Sequence, residues 1–301
     1  MKALLTLWKF SRPHTVAGTV ISIFTLYYII TAQAEDLHYI YLFLALIIGI
    51  TCNIFIVGIN LIADVPIDAI NKPYLPIPSG ALQVRHAKII VTVSLFISLI
   101  LALCITPILF GIIALAAIIG WAYSMPPFYL KKHHITSALA IASVRGVLLN
   151  AGGFLVFNYL VNDTLEMPEN VLIITAFIIV FSVVISWFKD LPDIPGDTKY
   201  HIKTFAIQYS PKQTLIWGNV WIDLAYTGTI FLKAREYITS SGNNFETRVL
   251  LFGHIFLFLL FILHAFTIHL NDAASVKKYY KRFWLFFFAE YALYLLAYAG
   301  A

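Results

Sequence analysis

The chain has 301 residues, 60% hydrophobic and 12% charged, with a formal net charge of +5 at pH 7, whereas a soluble domain carries roughly a quarter charged residues. Its mean hydropathy of +0.85 is more than a water-soluble core absorbs, which excludes an ordinary soluble protein and makes lipid the expected solvent. The positive balance does not point to nucleic acid, because 24 Phe, 17 Tyr and long apolar runs accompany it; it points to basic loops beside a membrane.

Met1 to Phe10 is too short for a cleavable leader, and the first apolar run, near Val16 to Ile30, is expected to belong to a complete span. Apolar runs with polar breaks predict nine spans, near 14–32, 39–60, 87–104, 107–124, 136–159, 170–188, 212–232, 248–270 and 281–299. Each approaches the roughly 20 residues that cross about 30 Å of hydrocarbon. Residues 1–301 therefore read as one all-α domain, a polytopic bundle of nine transmembrane helices. The two Asp-bearing segments follow the second and sixth runs, a faint sign of a duplicated helical unit. Cys52 and Cys104 each sit inside an apolar run, as small hydrophobes do.

Nine spans put alternate loops on alternate sides. One side collects every Lys and Arg except Arg145, Lys233, Arg235 and Arg248, that is 16 of 20, beginning with Lys2. The other side holds Glu35, Asp36, Asp163, Glu166 and Glu169, then Lys233, Arg235, Glu236, Glu246 and Arg248. The positive-inside rule places the basic side in the cytoplasm. The same parity puts Asp64, Asp68, Asp190, Asp193 and Asp197 there too.

The first acidic segment, Asn60-Leu-Ile-Ala-Asp64-Val-Pro-Ile-Asp68, spaces three polar residues four apart at the end of an apolar helix, so they line one helix face. The second, Lys189-Asp190-Leu-Pro-Asp193-Ile-Pro-Gly-Asp197, carries prolines that unwind a helix and let several carboxylates turn to one point. Hard cations such as Mg²⁺ take oxygen ligands, commonly one or two carboxylates completed by water and phosphate, so the two segments suit Mg²⁺ bridging a diphosphate. Asn60, Asp64, Asp68, Asp190, Asp193 and Asp197 are the candidate ligands. Charges at membrane-buried helix ends are costly and usually functional, although a lone loop Asp is ordinarily just solvated.

Between these segments, Tyr123-Ser-Met-Pro-Pro-Phe-Tyr-Leu-Lys131-Lys132 ends a span and aims basic residues into the same loop region. Lys131, Lys199 and Lys203 are the candidate diphosphate clamp, with topogenic anchoring as the alternative for Lys131 and Lys132. Arg145 lies deep in the fifth run, where a guanidinium needs a partner; Asn150 or a substrate group is expected. Arg12 flanks Pro13 and His14 at the start of the first run, placed to meet an anionic substrate or to snorkel to headgroups. His254, His264 and His269 are expected to be core histidines rather than ligands. Phe55, Trp121, Tyr123, Phe154 and Trp187 are candidate walls around a reactive carbocation.

The motifs Asn60-x-x-x-Asp64-x-x-x-Asp68 and Asp193-x-x-x-Asp197, in this order within nine spans, resemble the UbiA superfamily of intramembrane aromatic prenyltransferases. The phrases Trp8 to Thr15, Asp64 to Gly80, Tyr123 to Lys131, Ser143 to Gly146 and Phe188 to Asp197 are most similar to the homogentisate phytyltransferase branch, which makes tocopherols and prenylquinones. The resemblance implies that both aspartate motifs hold Mg²⁺ and the polyprenyl diphosphate, with Asp64, Asp68, Asp193, Asp197 and Lys131 as catalytic residues. Leu61 departs from it, standing where many relatives have Asp, and Asp190 matches an acidic position of the vitamin E and chlorophyll branches. It further implies transfer of a phytyl or geranylgeranyl group to homogentisate with decarboxylation. Arg145 or Arg12 is expected to hold the acceptor's carboxylate. The alternatives are another aromatic acceptor (dihydroxynaphthoate, hydroxybenzoate or chlorophyllide), an ion-coupled secondary transporter, or a non-catalytic scaffold; carboxylates at span ends rather than mid-span weigh against transport.

Overall fold

The computed structural model describes residues 2–32, 39–240 and 244–299. Glu35, Asp36 and the side chain of Lys2, which belong to the charge pattern, lie outside the described residues. A short helix, α1 (Lys2–Phe10), precedes α2 (Pro13–Thr31), α3 (Tyr39–Ala63), α4 (Val65–Asn71), α5 (Val84–Ile105) and α6 (Pro107–Ser124). The next long helix is α-helical at its ends, α7 (His134–Ala142) and α8 (Gly153–Asn162), and π-helical over Ser143–Gly152 between them. It is followed by α9 (Glu169–Phe188), α10 (Ile194–Lys199), α11 (Phe205–Gln208), α12 (Pro211–Thr239), α13 (Phe245–Ala265) and α14 (Ala273–Ala299).

Among the described residues, 7 helices are long and apolar enough to cross a membrane. Helices α12 and α14 stand where the seventh and ninth spans are predicted, but both are more heavily charged. Their ends also differ from expectation. Helix α14 starts at Ala273 rather than near 281, because Lys277, Lys278, Lys281 and Arg282, which read as loop by charge, are helical; long cationic side chains can lie along an apolar helix and keep their heads polar.

Local chemistry sets most helix starts. Pro13, Pro107 and Pro211 occupy the first turn of their helices, where the missing amide costs nothing. Thr106 accepts from the Leu109 amide at 3.0 Å and Asn244 from the Glu246 amide at 3.0 Å, satisfying donors that a helix leaves unpaired at its N-terminus. Consecutive long helices pack on one another, and α14 closes the ring against α2. Helix α9 is the most enclosed: Val171, Ile174, Ile178, Phe181, Val184 and Phe188 are all fully buried. The outer surface exposes Phe43, Phe96, Ile108, Phe231, Phe256 and Leu263, a coat that water would drive into aggregation and lipid solvates.

Two polar clusters tie the far half together. Buried Lys233 donates to Asn170 and Glu236, Thr247 donates to Glu236 at 2.6 Å, and Asn170 donates to Glu246 and Tyr298, linking α9, α12, α13 and α14. Deeper, His254 Nε2 meets Glu290 Oε1 at 2.7 Å with both side chains fully buried, so His254 is a partnered core histidine. His264 stacks on Tyr279 with ring centroids 4.2 Å apart. Truncating one partner of a buried charged pair strands the other, at about 3–5 kcal/mol, whereas replacing both with apolar groups is often neutral. Glu290→Leu alone is therefore expected to lower the unfolding temperature in detergent well below that of the His254→Leu/Glu290→Leu double variant; equal losses would contradict this account.

Candidate active site

At one end of the bundle, α3 runs almost without interruption into α4. Asp64 sits at the junction with φ −91° and ψ 6°, and the Asp64 amide bonds Asn60 O at 2.9 Å while the Asp68 amide bonds Asp64 O at 2.7 Å. The four-residue spacing thus carries through the bend, with Pro66 in the first turn of α4. The second segment does unwind at its prolines, passing through a 3₁₀ turn at Leu191–Asp193 into the short α10. Asn71 joins the two segments: its Nδ2 donates to Asp193 O at 2.9 Å and its Oδ1 accepts from the Gly196 amide at 2.8 Å. A Cβ on Gly196 would lie 2.5 Å from Asn71 Nδ2, so glycine is what admits this clamp.

Asn60, Asp64, Asp68, Asp190, Asp193 and Asp197 line one cavity of about 1010 Å³, together with Arg12, Tyr123, Lys131 and Arg145. The volume is at the upper end of the roughly 300–1,000 Å³ usual for small-molecule sites. Lysines hold three of the aspartates: Lys131 pairs with Asp64, Lys72 with Asp193, and Lys189 with Asp190 at 2.6 Å. Asn60 Nδ2 donates to the other Asp64 oxygen at 2.9 Å. Two oxygens, Asp68 Oδ2 and Asp193 Oδ1, are buried without a hydrogen-bond partner. Burial pushes the Asp68 carboxyl up to about 6, against the pull of Lys72 and Arg12. Burial also draws the Lys131 ammonium below its usual value, opposed only in part by Asp64. At Lys72 burial works the same way, but Asp193 and Asp68 outweigh it and hold the ammonium above its ordinary value.

Eight Lys and Arg against five Asp line the cavity, so its wall is cationic overall and suits a polyanion. Among the described residues no three His, Cys, Asp or Glu side chains already converge on one ion-sized point; the aspartates are held by lysines instead. The orphaned oxygens of Asp68 and Asp193 nonetheless fit a hard divalent cation that takes one or two carboxylates and completes its shell from phosphate and water.

Three expected substrate contacts lie elsewhere. Lys199 and Lys203 are exposed and outside the cavity. Asp197 faces inward from α10, and a residue two positions on points away from that face, which sends Lys199 to the outside. Lys203 contributes through its backbone, its amide bonding Lys132 O at 2.8 Å and its carbonyl the His134 amide at 3.1 Å. Asn150 does not pair with Arg145: it is buried below the cavity, accepting from Tyr291 Oη at 2.8 Å. Arg145 has no carboxylate partner among the described residues; its guanidinium lies 5.1 Å from the Trp284 ring and 5.7 Å from that of Phe287. Of the expected aromatic walls, Tyr123 lines this cavity, and Phe154 a smaller neighbouring one. Phe55 is packed in the core, Trp121 faces outward, and Trp187 stacks on Phe205 at 4.3 Å. Lys72, Asn71 and Lys189 are site groups that sequence motifs did not single out, and so are Tyr280, Lys281 and Trp284. A signal for two of them exists: Asn71 and Lys72 lie three and four residues beyond Asp68, one helical turn on.

Residues 20–289 match the UbiA prenyltransferase family. The chain is 33% identical to a homogentisate phytyltransferase of Synechocystis sp., covering 99% of this chain and 96% of that one. It is 31% identical to the chloroplastic homogentisate solanesyltransferase of Arabidopsis thaliana, over 95% of this chain and 75% of that one. Among solved structures, a UbiA homolog from Archaeoglobus fulgidus bound to GPP and Mg²⁺ superimposes with a TM-score of 0.66 at 18% identity, over 98% of this chain and 99% of the other. A common fold and a family match across nearly the whole length meet here: the chain is an integral, multi-pass membrane protein and belongs to the UbiA prenyltransferase family.

Proposed function

We propose that this chain transfers a phytyl or geranylgeranyl group from its diphosphate to homogentisate, with decarboxylation, using Mg²⁺ at the cytoplasmic face of a bundle of nine membrane-spanning helices. The observation that carries the reading is the cluster of buried aspartates and lysines at the mouth of a cavity whose deeper wall is apolar. The homogentisate phytyltransferase and solanesyltransferase relatives supply the acceptor, and the GPP- and Mg²⁺-bound homolog the donor class and the ion. The excess of Lys and Arg in the loops on the cavity side supports the cytoplasmic placement.

Asp64, Asp68, Asp193 and Asp197, with Asn60 and Asp190 beside them, are the residues that would hold the ion. Bound there, Mg²⁺ would neutralise the diphosphate and favour its departure. Lys72, Lys131 and Lys189, each now on an aspartate, are placed to donate to diphosphate oxygens as negative charge develops on the leaving group. The C1–O bond of the donor breaks, diphosphate leaves, and C1 bonds a ring carbon, which loses its proton; the acetate arm loses CO₂ and takes up a proton, leaving a methyl group. Arg145, with no carboxylate partner among the described residues and held between α2 and α14, is the group we assign to the acceptor's carboxylate. Ile56, Val57 and Trp284 wall the cavity and keep water from an allylic cation that it would hydrolyse.

Purified protein in nanodiscs is expected to form a prenylated quinol from homogentisate and geranylgeranyl or phytyl diphosphate, to lose this activity in EDTA, and to regain it with Mg²⁺. Asp68→Ala and Asp193→Ala should each lower kcat by about 10²–10³, the scale for removing one preorganised group that stabilises developing charge. Lys72→Ala and Lys131→Ala should lose activity comparably, while Lys199→Ala and Lys203→Ala stay within about twofold of wild type, as exposed substitutions do. Full activity in the aspartate variants would remove this reading.

Arg145→Ala is expected to raise KM for homogentisate by roughly 10- to 100-fold, the worth of a charged hydrogen bond of about 1.5–3 kcal/mol. A hydroquinone acceptor lacking the acetate arm should be insensitive to the substitution, and an equal loss with both acceptors would assign Arg145 to packing alone.

A further inference from the structure

The proposed reaction breaks a ring C–H bond, and none of the groups assigned to it receives that proton. The aspartates are committed to the ion and the lysines, and the Lys and Arg side chains carry protons of their own. Among the described residues, His14 is the one histidine that lines the large cavity. An imidazole is the side chain that takes and returns a proton most readily near neutral pH.

Pro13 in the first turn of α2 puts His14 at the start of that helix, directly after Arg12 with its left-handed φ of 51°. The His14 ring meets the Trp284 ring edge-on, with centroids 4.9 Å apart and planes at 72°. No described residue hydrogen-bonds its ring nitrogens, and the half-buried imidazole keeps them for a ligand.

Trp284 also flanks Arg145, whose guanidinium lies 5.1 Å from the same indole. Gly18 stands four residues after His14, on the same face of α2. A Cβ there would lie 3.1 Å from Phe287 Cε1, 3.5 Å from Trp284 Cζ3 and 3.6 Å from Arg145 Nη1, so the guanidinium rests on α2 at the glycine. Imidazole and guanidinium therefore border one indole, about one helical turn apart along α2.

Resting on the prenyl-transfer reading above and on Arg145 as the acceptor's anchor, we infer that His14 is the base that takes the ring proton. One methylene separates the acceptor's carboxylate from its ring, a reach that matches the one-turn spacing between Arg145 and His14. Once C1 of the donor has bonded the ring carbon, the C–H bond at that carbon breaks. Its electron pair restores the aromatic ring, and the proton forms an N–H bond on His14. The imidazolium gives that proton to water as the quinol leaves. The protonated ring is a far stronger acid than an imidazolium, so a neutral imidazole suffices as the acceptor.

The test uses the full-length protein in nanodiscs with Mg²⁺, geranylgeranyl diphosphate, and homogentisate carrying hydrogen or deuterium on the ring. His14→Phe keeps an aromatic ring against Trp284 but has no base, and His14→Ala opens space for added imidazole. Both should lower kcat by about 10²–10⁴, the usual contribution of a positioned acid or base, with KM for homogentisate changed far less. Ring deuteration should slow both variants more than the wild type, because C–H cleavage without its base becomes the slow step. Added imidazole should restore turnover to His14→Ala and not to His14→Phe. Wild-type kcat in His14→Phe, or a loss in both variants with neither an isotope effect nor imidazole rescue, overturns the inference and leaves prenyl transfer intact. If the wild type turns over no prenyl diphosphate with any acceptor, the prenyl-transfer reading itself fails, and the assignment of His14 with it.

Discussion

Lys72, Lys131 and Lys189 hold Asp193, Asp64 and Asp190 at a bundle end that has largely removed these carboxylates from water. Burying a carboxylate without compensation costs several kcal/mol, and a neighbouring ammonium in good geometry recovers much of it. The aspartates can therefore be gathered in one place only because the lysines are gathered with them. This constraint organises the rest of the end of the bundle: Asn71 bolts α4 to the second acidic segment, and the loop after α4 brings Leu75 and Pro76 over the cavity. For the proposed reaction it also prepares the chemistry, since a cation arriving with a diphosphate would offer each aspartate and each lysine a new partner of opposite sign. In that proposal the site is an internal salt whose partners substrate and metal would exchange.

Lipid imposes the complementary rule elsewhere. Away from the cavity, the fully buried side chains of His254, Glu290 and Lys233 are partnered, His254 with Glu290 and Lys233 with Glu236 and Asn170. None of these side chains lines the large cavity, so they hold helices together and leave the chemistry to one end. Arg145 is the exception that helps define the site. It opens on the cavity with aromatic rings, not a carboxylate, beside it, and a guanidinium over rings retains its donors for a ligand.

Much of this was legible in the sequence because the signals are local. Apolar run length marked the helices, and a four-residue interval placed Asn60, Asp64 and Asp68 on one face. What escaped was set by geometry between segments. Charge counting read Lys277 to Arg282 as loop, although an amphipathic first turn lets α14 begin earlier and bring Lys281 and Trp284 to the cavity. Lys199 and Lys203 matched the right composition near the right motif, but the 6-residue α10 turns Lys199 outward, and Lys203, beyond that helix, is held by backbone bonds to Lys132 and His134. Lys72 and Lys189 looked like topological anchors because nothing in a sequence says that a loop lysine will fold back onto an aspartate 121 residues away, as Lys72 does.

The π-helical stretch Ser143–Gly152 accounts for the remaining surprise. Its i to i+5 hydrogen bonding widens the turn and rotates every later side chain relative to an α-helix. Val144, Arg145 and Leu149 face the large cavity, Leu148, Leu149 and Gly153 the small one, and Asn150 turns to Tyr291. The wide turn is costly unless the surroundings support it, and here Gly146 lets Ile179 of α9 pack directly against the segment, since a Cβ at position 146 would lie only 2.2 Å from Ile179 Cγ1. The segment that breaks the helical rule thus lines both cavities, as α2 and α3 also do, and it carries Arg145, the group we assign to the acceptor, on the wall of the larger one.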